Sequence, residues 1–332
     1  MNLVWGIVIG IIALTILVVL HELGHALVAR RNGVRVEEFG IGFPPAAYKK
    51  NVKKSFLGKN VVYSVNWLPL GGFVKLQGEH DDDKKPGDYG AATFWQKTKI
   101  LLAGVAMNWL TAAVLLTLLA WFGLPQLVPH QFTVAGDTRV IYNPVVLASI
   151  EKDLPAESAG LKSGDAIISV NGKKVEASAQ LSEAAAAHKG EMVRVTYKRD
   201  GAERVAHVAL RSTNDDKRGY LGAGLSQERF TRSTWSAPIV GIGVTAQLTG
   251  ITLQGLGQVI GDGVSGLVMK LMPNDSAQKQ ANQKLSSASQ SVGGPLSIFG
   301  ILFPAAERAG MRYVVMMTAL ISLTLAVMNI LP

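Results

Sequence analysis

Between residues 3 and 20 the chain carries nothing more polar than Thr15, and fixed positive charge first arrives at Arg30 and Arg31. At about 1.5 Å rise per residue, a helix of that length crosses a hydrocarbon core ~30 Å thick with turns to spare. A second uncharged run covers 100–123 and closes on Trp121 and Phe122, a residue class enriched at membrane interfaces. A third covers 313–332. Residues 238–260 are uncharged but studded with Gly, Thr and Gln, which leaves hydropathy divided between a span and an interfacial helix. Parity favours the second: if the segment lies on the membrane, Asn329 ends at the same side as the C-terminal end of the first span.

The loop 32–99 holds Arg35, Lys49, Lys50, Lys53, Lys54, Lys97 and Lys99, and the positive-inside rule makes it cytoplasmic and the N-terminus extracytoplasmic. Within it, Val61-Val62-Tyr63-Ser64-Val65-Asn66-Trp67 has strand composition. Leu68-Pro69-Leu70-Gly71-Gly72-Phe73-Val74-Lys75-Leu76 then adds a turn between two β-like pieces. The charged stretch 79–85 reads as a solvated loop, and His80 within it is assigned no metal.

From 143 to 211 the pattern becomes that of a small soluble domain. A short helix signal at 154–161 leads to Gly164-Asp165, the apolar strand 166–170 and an Asn171-Gly172 hairpin turn. A helix follows over 176–188, then strands over 192–198 and 204–210 around Asp200-Gly201. This order resembles a PDZ domain, a module that takes an extended peptide or protein segment into a groove between strand and helix.

Composition changes the picture little. The chain has 332 residues, 48% of them hydrophobic, and a mean hydropathy of +0.24, which describes a membrane protein with a soluble part. The net charge of +9 lies beside apolar runs, so it reads as an orientation signal, not as a nucleic-acid surface. With no cysteine, disulfide and thiolate chemistry are excluded. The first apolar run is too long for a cleavable signal peptide and lacks a basic start.

The chemistry sits inside the first span. His21-Glu22-Leu23-Gly24-His25 places two imidazoles four residues apart, on one face of a helix, where they can share one metal ion. Glu22 is displaced round the helix, where a carboxylate can take a proton from water at that metal. Ionisable groups inside a span are costly, so three in this arrangement mark a site. Zn2+ is the expected ion. Asn108 is the notable polar residue of the second span, able to hydrogen-bond the first helix.

Taken together, the chain resembles the site-2 proteases, specifically the bacterial regulator-of-sigma-E protease branch. The resemblance is carried by the His21–His25 motif, Gly40-Ile41-Gly42-Phe43, the 68–75 stretch, Ala103-Gly104 with Asn108, the PDZ pieces, Gly294-Pro295 and Met328-Asn329-Ile330-Leu331-Pro332. It implies a polytopic α-helical membrane protein with an inserted extracytoplasmic α+β PDZ domain and a membrane-associated β-loop. By that resemblance Glu22 is the catalytic base, His21 and His25 are metal ligands, and Gly71, Gly72, Phe73 and Asn329 bind substrate. The implied activity is intramembrane zinc proteolysis in the inner (cytoplasmic) membrane. Its implied substrates are transmembrane segments of single-span proteins, such as anti-sigma factors or remnant signal peptides.

Three departures stand out. There is one PDZ module where well-known members have two, Val105 replaces a usual proline, and the sequence stops at Pro332 before an expected Asp-Gly that carries the third ligand. The expected reading is a C-terminal truncation that also removes any fourth span and leaves the fragment inactive. The competing class is an inactive membrane scaffold whose working part is the PDZ module. The expected division is a first span over 1–31, a cytoplasmic loop over 32–99 with the β-hairpin, and a second span over 100–124. The PDZ domain follows over 125–225, an interfacial helix and polar loop over 226–312, and a last span over 313–332.

Overall fold

The computed structural model describes residues 3–79, 84–216, 218–270 and 298–330. His80, the polar stretch 273–290, Gly293-Gly294-Pro295 and Pro332 lie outside them. The chain forms two compact units, Met1–Phe122 with His130–Asp137 and Ser233–Pro332, and Gly123–Pro129 with Thr138–Arg232.

The first unit opens with helix α1, Leu3–Arg31, followed by strands β1, Val36–Ser55, and β2, Gly58–Leu76, and helix α2, Phe94–Phe122. Helices α1 and α2 run antiparallel and approach closely at Gly24, where a Cβ would sit 2.6 Å from the Ala103 carbonyl oxygen. Small residues allow such backbone contact between apolar helices, which gain little from hydrophobic burial in lipid.

The two long strands fold back on themselves. Glu38 pairs with both Val62 and Lys75, and Ile41 with both Val65 and Gly72, so 36–41 is a central strand with neighbours on either side. The outer part of β1 pairs instead with the start of β2, from Ala46↔Asn66 to Ser55↔Gly58. The charged 36–55 segment carries little strand signal by itself, and pairing along the sheet overrides its weak local preference. Val34, Val36, Phe39, Leu57, Val61 and Leu76 bury against Ala26 and Ala29 of α1 and Ile100 of α2, which seats the sheet on the C-terminal end of α1.

The second unit contains β3, Leu124–Pro125; β4, Arg139–Tyr142; β5, Val145–Ile150; α3, Pro155–Ser158; β6, Ala166–Val170; and β7, Lys173–Lys174. It continues with α4, Ser178–Ala187; β8, Met192–Arg199; β9, Ala202–Ala209; β10, Ala223–Ser226; and β11, Arg229–Arg232. Its main sheet has the order β10-β5-β6-β8-β9, and β3-β11-β4 form a smaller one. Leu147, Ile167, Leu181, Val193, Val195 and Val208 are its core. Asn171-Gly172 and Asp200-Gly201 take φ values of 50, 79, 51 and 82°, the left-handed pairs that tight hairpins require.

Asp165 is 1% exposed in this unit and receives hydrogen bonds of 2.6 Å from both Nε and Nη2 of Arg199. Burial is the largest single influence and pushes its pKa up. The Arg199 hydrogen bonds, the Lys162 N–H and the charges of Arg199 and Arg204 together outweigh burial and hold it below 3.8. The unfolded chain therefore takes up the proton first, so Asp165 contributes stability above about pH 4 and loses it as pH falls through the lower folded value. Amide protection across β6 and β8, taken relative to the intrinsic exchange rate, is expected to fall below that pH, and Asp165→Asn to flatten the dependence. An unchanged slope in the variant would remove Asp165 as its source.

The chain returns to the first unit at Ser233, and the carboxylate of Asp137 in that unit accepts from the Ser236 N–H at 3.0 Å and the Ser236 hydroxyl at 2.6 Å, ahead of α5, Ala237–Lys270. A π-helical turn, Ile298–Leu302, leads into α6, Phe303–Ala309, and α7, Met311–Met328. Helix α5 lies along α2, with Gly241 against Thr117 and the Trp109 indole N–H donating to Thr249 Oγ1 at 3.1 Å. Helix α7 joins α2 through Arg312 to the Phe122 carbonyl and Ser322 Oγ to the Asn108 carbonyl at 2.8 Å. Both therefore run antiparallel to α2 and in the same direction as α1.

Four helices are long and apolar enough to cross a membrane: α1, α2, Ala237–Gly266 of α5, and α7. The segment 238–260, expected to lie along the surface, is thus the interior of a candidate span. Some of the residues that lower its hydropathy are packing positions: Gly241 lies against Thr117, and Thr245 is fully buried and bonds the Gly241 carbonyl within its own helix.

Candidate metal centre

On α1 the four-residue spacing turns His21 and His25 towards each other, with their Nε2 atoms 3.1 Å apart. Each ring is held from behind by α2. His25 Nδ1 lies 2.6 Å from the Ile100 carbonyl oxygen, which can only accept, so Nδ1 carries the proton and Nε2 presents its lone pair. His21 Nδ1 lies 3.1 Å from the Asn108 side-chain amide, and Asn108 is buried with Oδ1 unpartnered among the described residues. Turning that amide over brings Oδ1 to Nδ1–H, which frees Nε2 of His21 as well. Orientation of ligand imidazoles through the second ring nitrogen is characteristic of metal sites.

The space before the two Nε2 atoms is kept open by Gly104. A Cβ there would lie 2.5 Å from His25 Nε2 and 2.6 Å from His21 Nε2. Two convergent neutral nitrogens facing a cradle without a side chain fit a Zn2+ ion. Among the described residues no group of three His, Cys, Asp or Glu side chains could hold a metal ion, so the two imidazoles supply the donors seen here.

Glu22 faces the sheet. Its Oε2 accepts the Val74 N–H at 3.2 Å. The strand preceding Val74 follows α1 in step: Thr15 Oγ1 donates to the Pro69 carbonyl, Gly71 meets Val18, and Gly72 meets Val19. The left-handed φ of 93° at Gly71 and the clearance of 2.8 Å between a Gly72 Cβ and the Gly40 carbonyl explain why glycines stand there. The Phe73 ring lies over Gly40, which has no side chain to block it. Asn329 follows α7, exposed, about 10 Å of helix rise beyond Ser322. The contacts that place it are backbone bonds within its own helix.

In the sequence Asn108 stands out as a polar residue able to hydrogen-bond the first helix, though not as a partner of His21 in particular, and Gly104 only as part of a motif. The Ile100 carbonyl carried no signal, because every residue has one.

A model of peptidase family M50 matches residues 9–332. A Clostridium acetobutylicum protein named as a candidate zinc metalloprotease is 28% identical over 328 residues, covering 99% of this chain and 83% of that one. Zinc metalloprotease Rip1 of Mycobacterium tuberculosis is 32% identical over 222 residues, 64% of this chain, and the match spans 53% of Rip1. The PDZ domain of an SdrC-like protein from Listeria monocytogenes aligns with 26% of this chain and 92% of its own, at 25% identity and a TM-score of 0.24. With the family model matching nearly its whole length, this chain belongs to peptidase family M50, the site-2 proteases.

Proposed function

We propose that this protein is an intramembrane zinc endopeptidase that cuts transmembrane segments of single-span membrane proteins. The observation that carries the reading is the pair of Nε2 atoms 3.1 Å apart, each imidazole held by α2 and both on a helix long and apolar enough to span. Bound there by His21 and His25, Zn2+ would polarise a peptide carbonyl and acidify water. The Glu22 carboxylate takes the proton of the attacking water and passes it to the leaving amine.

A substrate helix hides its carbonyls in its own hydrogen bonds and must unwind to be cut. The 72–76 edge of the sheet, beside Glu22 at Val74, gives an unwound backbone a strand to pair with. Gly71, Gly72 and Phe73 are assigned to this contact, and Asn329 to the far wall of the site. Trimmed anti-sigma factors and remnant signal peptides fit that substrate description.

The PDZ unit takes a peptide between β10, an edge strand, and α4, in a groove of about 310 Å³ lined by Leu181, Ala185, Tyr220, Leu221 and Leu225. We place it on the extracytoplasmic side of the inner membrane, with the basic 32–99 loop on the cytoplasmic side. A single Cys at Ser178 is expected to react with an impermeant reagent in intact spheroplasts. Labelling only after lysis would reverse the orientation.

The function is tested by offering a single-span substrate to the purified full-length protein, with zinc measured on the same sample. Cleavage stopped by a strong chelator and restored by Zn2+ is expected. Zinc-loaded protein that leaves every such substrate intact would favour the scaffold reading.

A further inference from the structure

The chain from Phe39 to Gly78 contains six lysines and no acidic residue. Lys49 is paired with Glu38 and Lys75 with Glu37, each at 2.9 Å, whereas Lys50, Lys53, Lys54 and Lys59 make no ion pair among the described residues. Lys59 is part of a concavity of about 660 Å³ at the C-terminal end of α1, lined also by Arg30, Arg35, Asn60, Gln77 and Glu37. Since Lys75 engages the Glu37 carboxylate, three cations and two neutral polar groups dominate the pocket.

Its depth is marked independently. Gln96 Nε2 donates to the Asn32 carbonyl at 3.3 Å, which ties the start of α2 to the level where α1 ends. Directly before it, Phe94 and Trp95 stand 73% and 70% exposed with ring centroids 5.4 Å apart. Phe56, 59% exposed at the β1–β2 turn, is held there by the Arg30 guanidinium donating to its carbonyl. Exposed aromatic side chains gathered at the end of a span belong at headgroup depth.

We propose that the Arg30–Arg35–Lys59 pocket binds the headgroup of an anionic phospholipid. Guanidinium groups match phosphate oxygens in pairs, lysine adds a point charge, and the pocket lies where α1 would leave the hydrocarbon. The inference rests on α1 being a membrane span and is independent of catalysis, since Arg30 is about 12 Å of helix rise from Glu22. Such a lipid would clamp the sheet whose 72–76 edge lies beside Glu22, making lipid composition a means of setting the position of that edge.

The test uses the full chain in detergent, given phosphatidylglycerol or phosphatidylcholine, with retained lipid counted by native mass spectrometry. Phosphatidylglycerol is expected to be retained about tenfold better, and Arg35→Gln with Lys59→Gln to remove most of that preference. Lys50→Gln with Lys53→Gln should keep it, and millimolar inorganic phosphate should not displace the lipid. Equal retention of the two lipids, equal loss in both double variants, or displacement by phosphate would each overturn the proposal. Should the first double variant unfold, photo-crosslinking with a headgroup-labelled phosphatidylglycerol decides on the wild type. Adducts at 30–35 and 57–60 support the site, and adducts confined elsewhere refute it.

Discussion

In the full-length protein, Glu22→Gln is expected to slow peptide-bond cleavage by a factor of about 10²–10⁴, the usual contribution of a positioned general base, while bound zinc stays at the wild-type level. The amide retains an oxygen that can accept the Val74 N–H now given to Oε2, so the sheet edge stays docked on α1. What disappears is the capacity to take a proton from water and return it to the amine. Cleavage of a single-span substrate and elemental analysis for zinc, run on one preparation, separate the possibilities. Wild-type rates would release Glu22 from the role. Joint loss of zinc and activity would show that the carboxylate serves the metal and not the proton.

Gly104→Ala is expected to lower zinc affinity by roughly 100-fold or more, beyond the usual effect of disturbing a ligand's support, and to remove cleavage with it. The added methyl would lie 2.5–2.6 Å from both imidazole Nε2 atoms, closer than carbon and nitrogen can approach. One ring must turn, and either turn breaks its bond to Ile100 or Asn108. Gly255→Ala on α5 is the control, because nothing lies within 4 Å of a Cβ there. Wild-type zinc content in Gly104→Ala would show that the ion does not sit between these two histidines.

Some of this was legible in the residues. A span must satisfy its backbone within itself and present apolar side chains to lipid, so α1, α2 and α7 are visible as long apolar runs. The His21–His25 pairing is equally local, since a helix places i and i+4 on one face whatever surrounds it. The Asn-Gly and Asp-Gly hairpins of the second unit were legible because two consecutive left-handed residues admit few residue types.

Other features had no local signature. Residues 36–55 carry too many charges to announce a strand; their extended form depends on partners contributed by 58–76. In α5, Gly241 and Thr245 read as weakened hydrophobicity until α2 is set beside them, and then they are the contact surface.

The sequence by itself determined the motif, its helix and the setting in an apolar span, because each follows from spacing along one chain segment. Only the tertiary structure decided what holds the imidazoles and what keeps the space before them open. His25 meets the Ile100 carbonyl across 75 residues and His21 meets Asn108 across 87. Gly104 matters solely because both rings point at it. The value of a missing side chain is set by what would have struck it, and that is known only once α1 and α2 are packed.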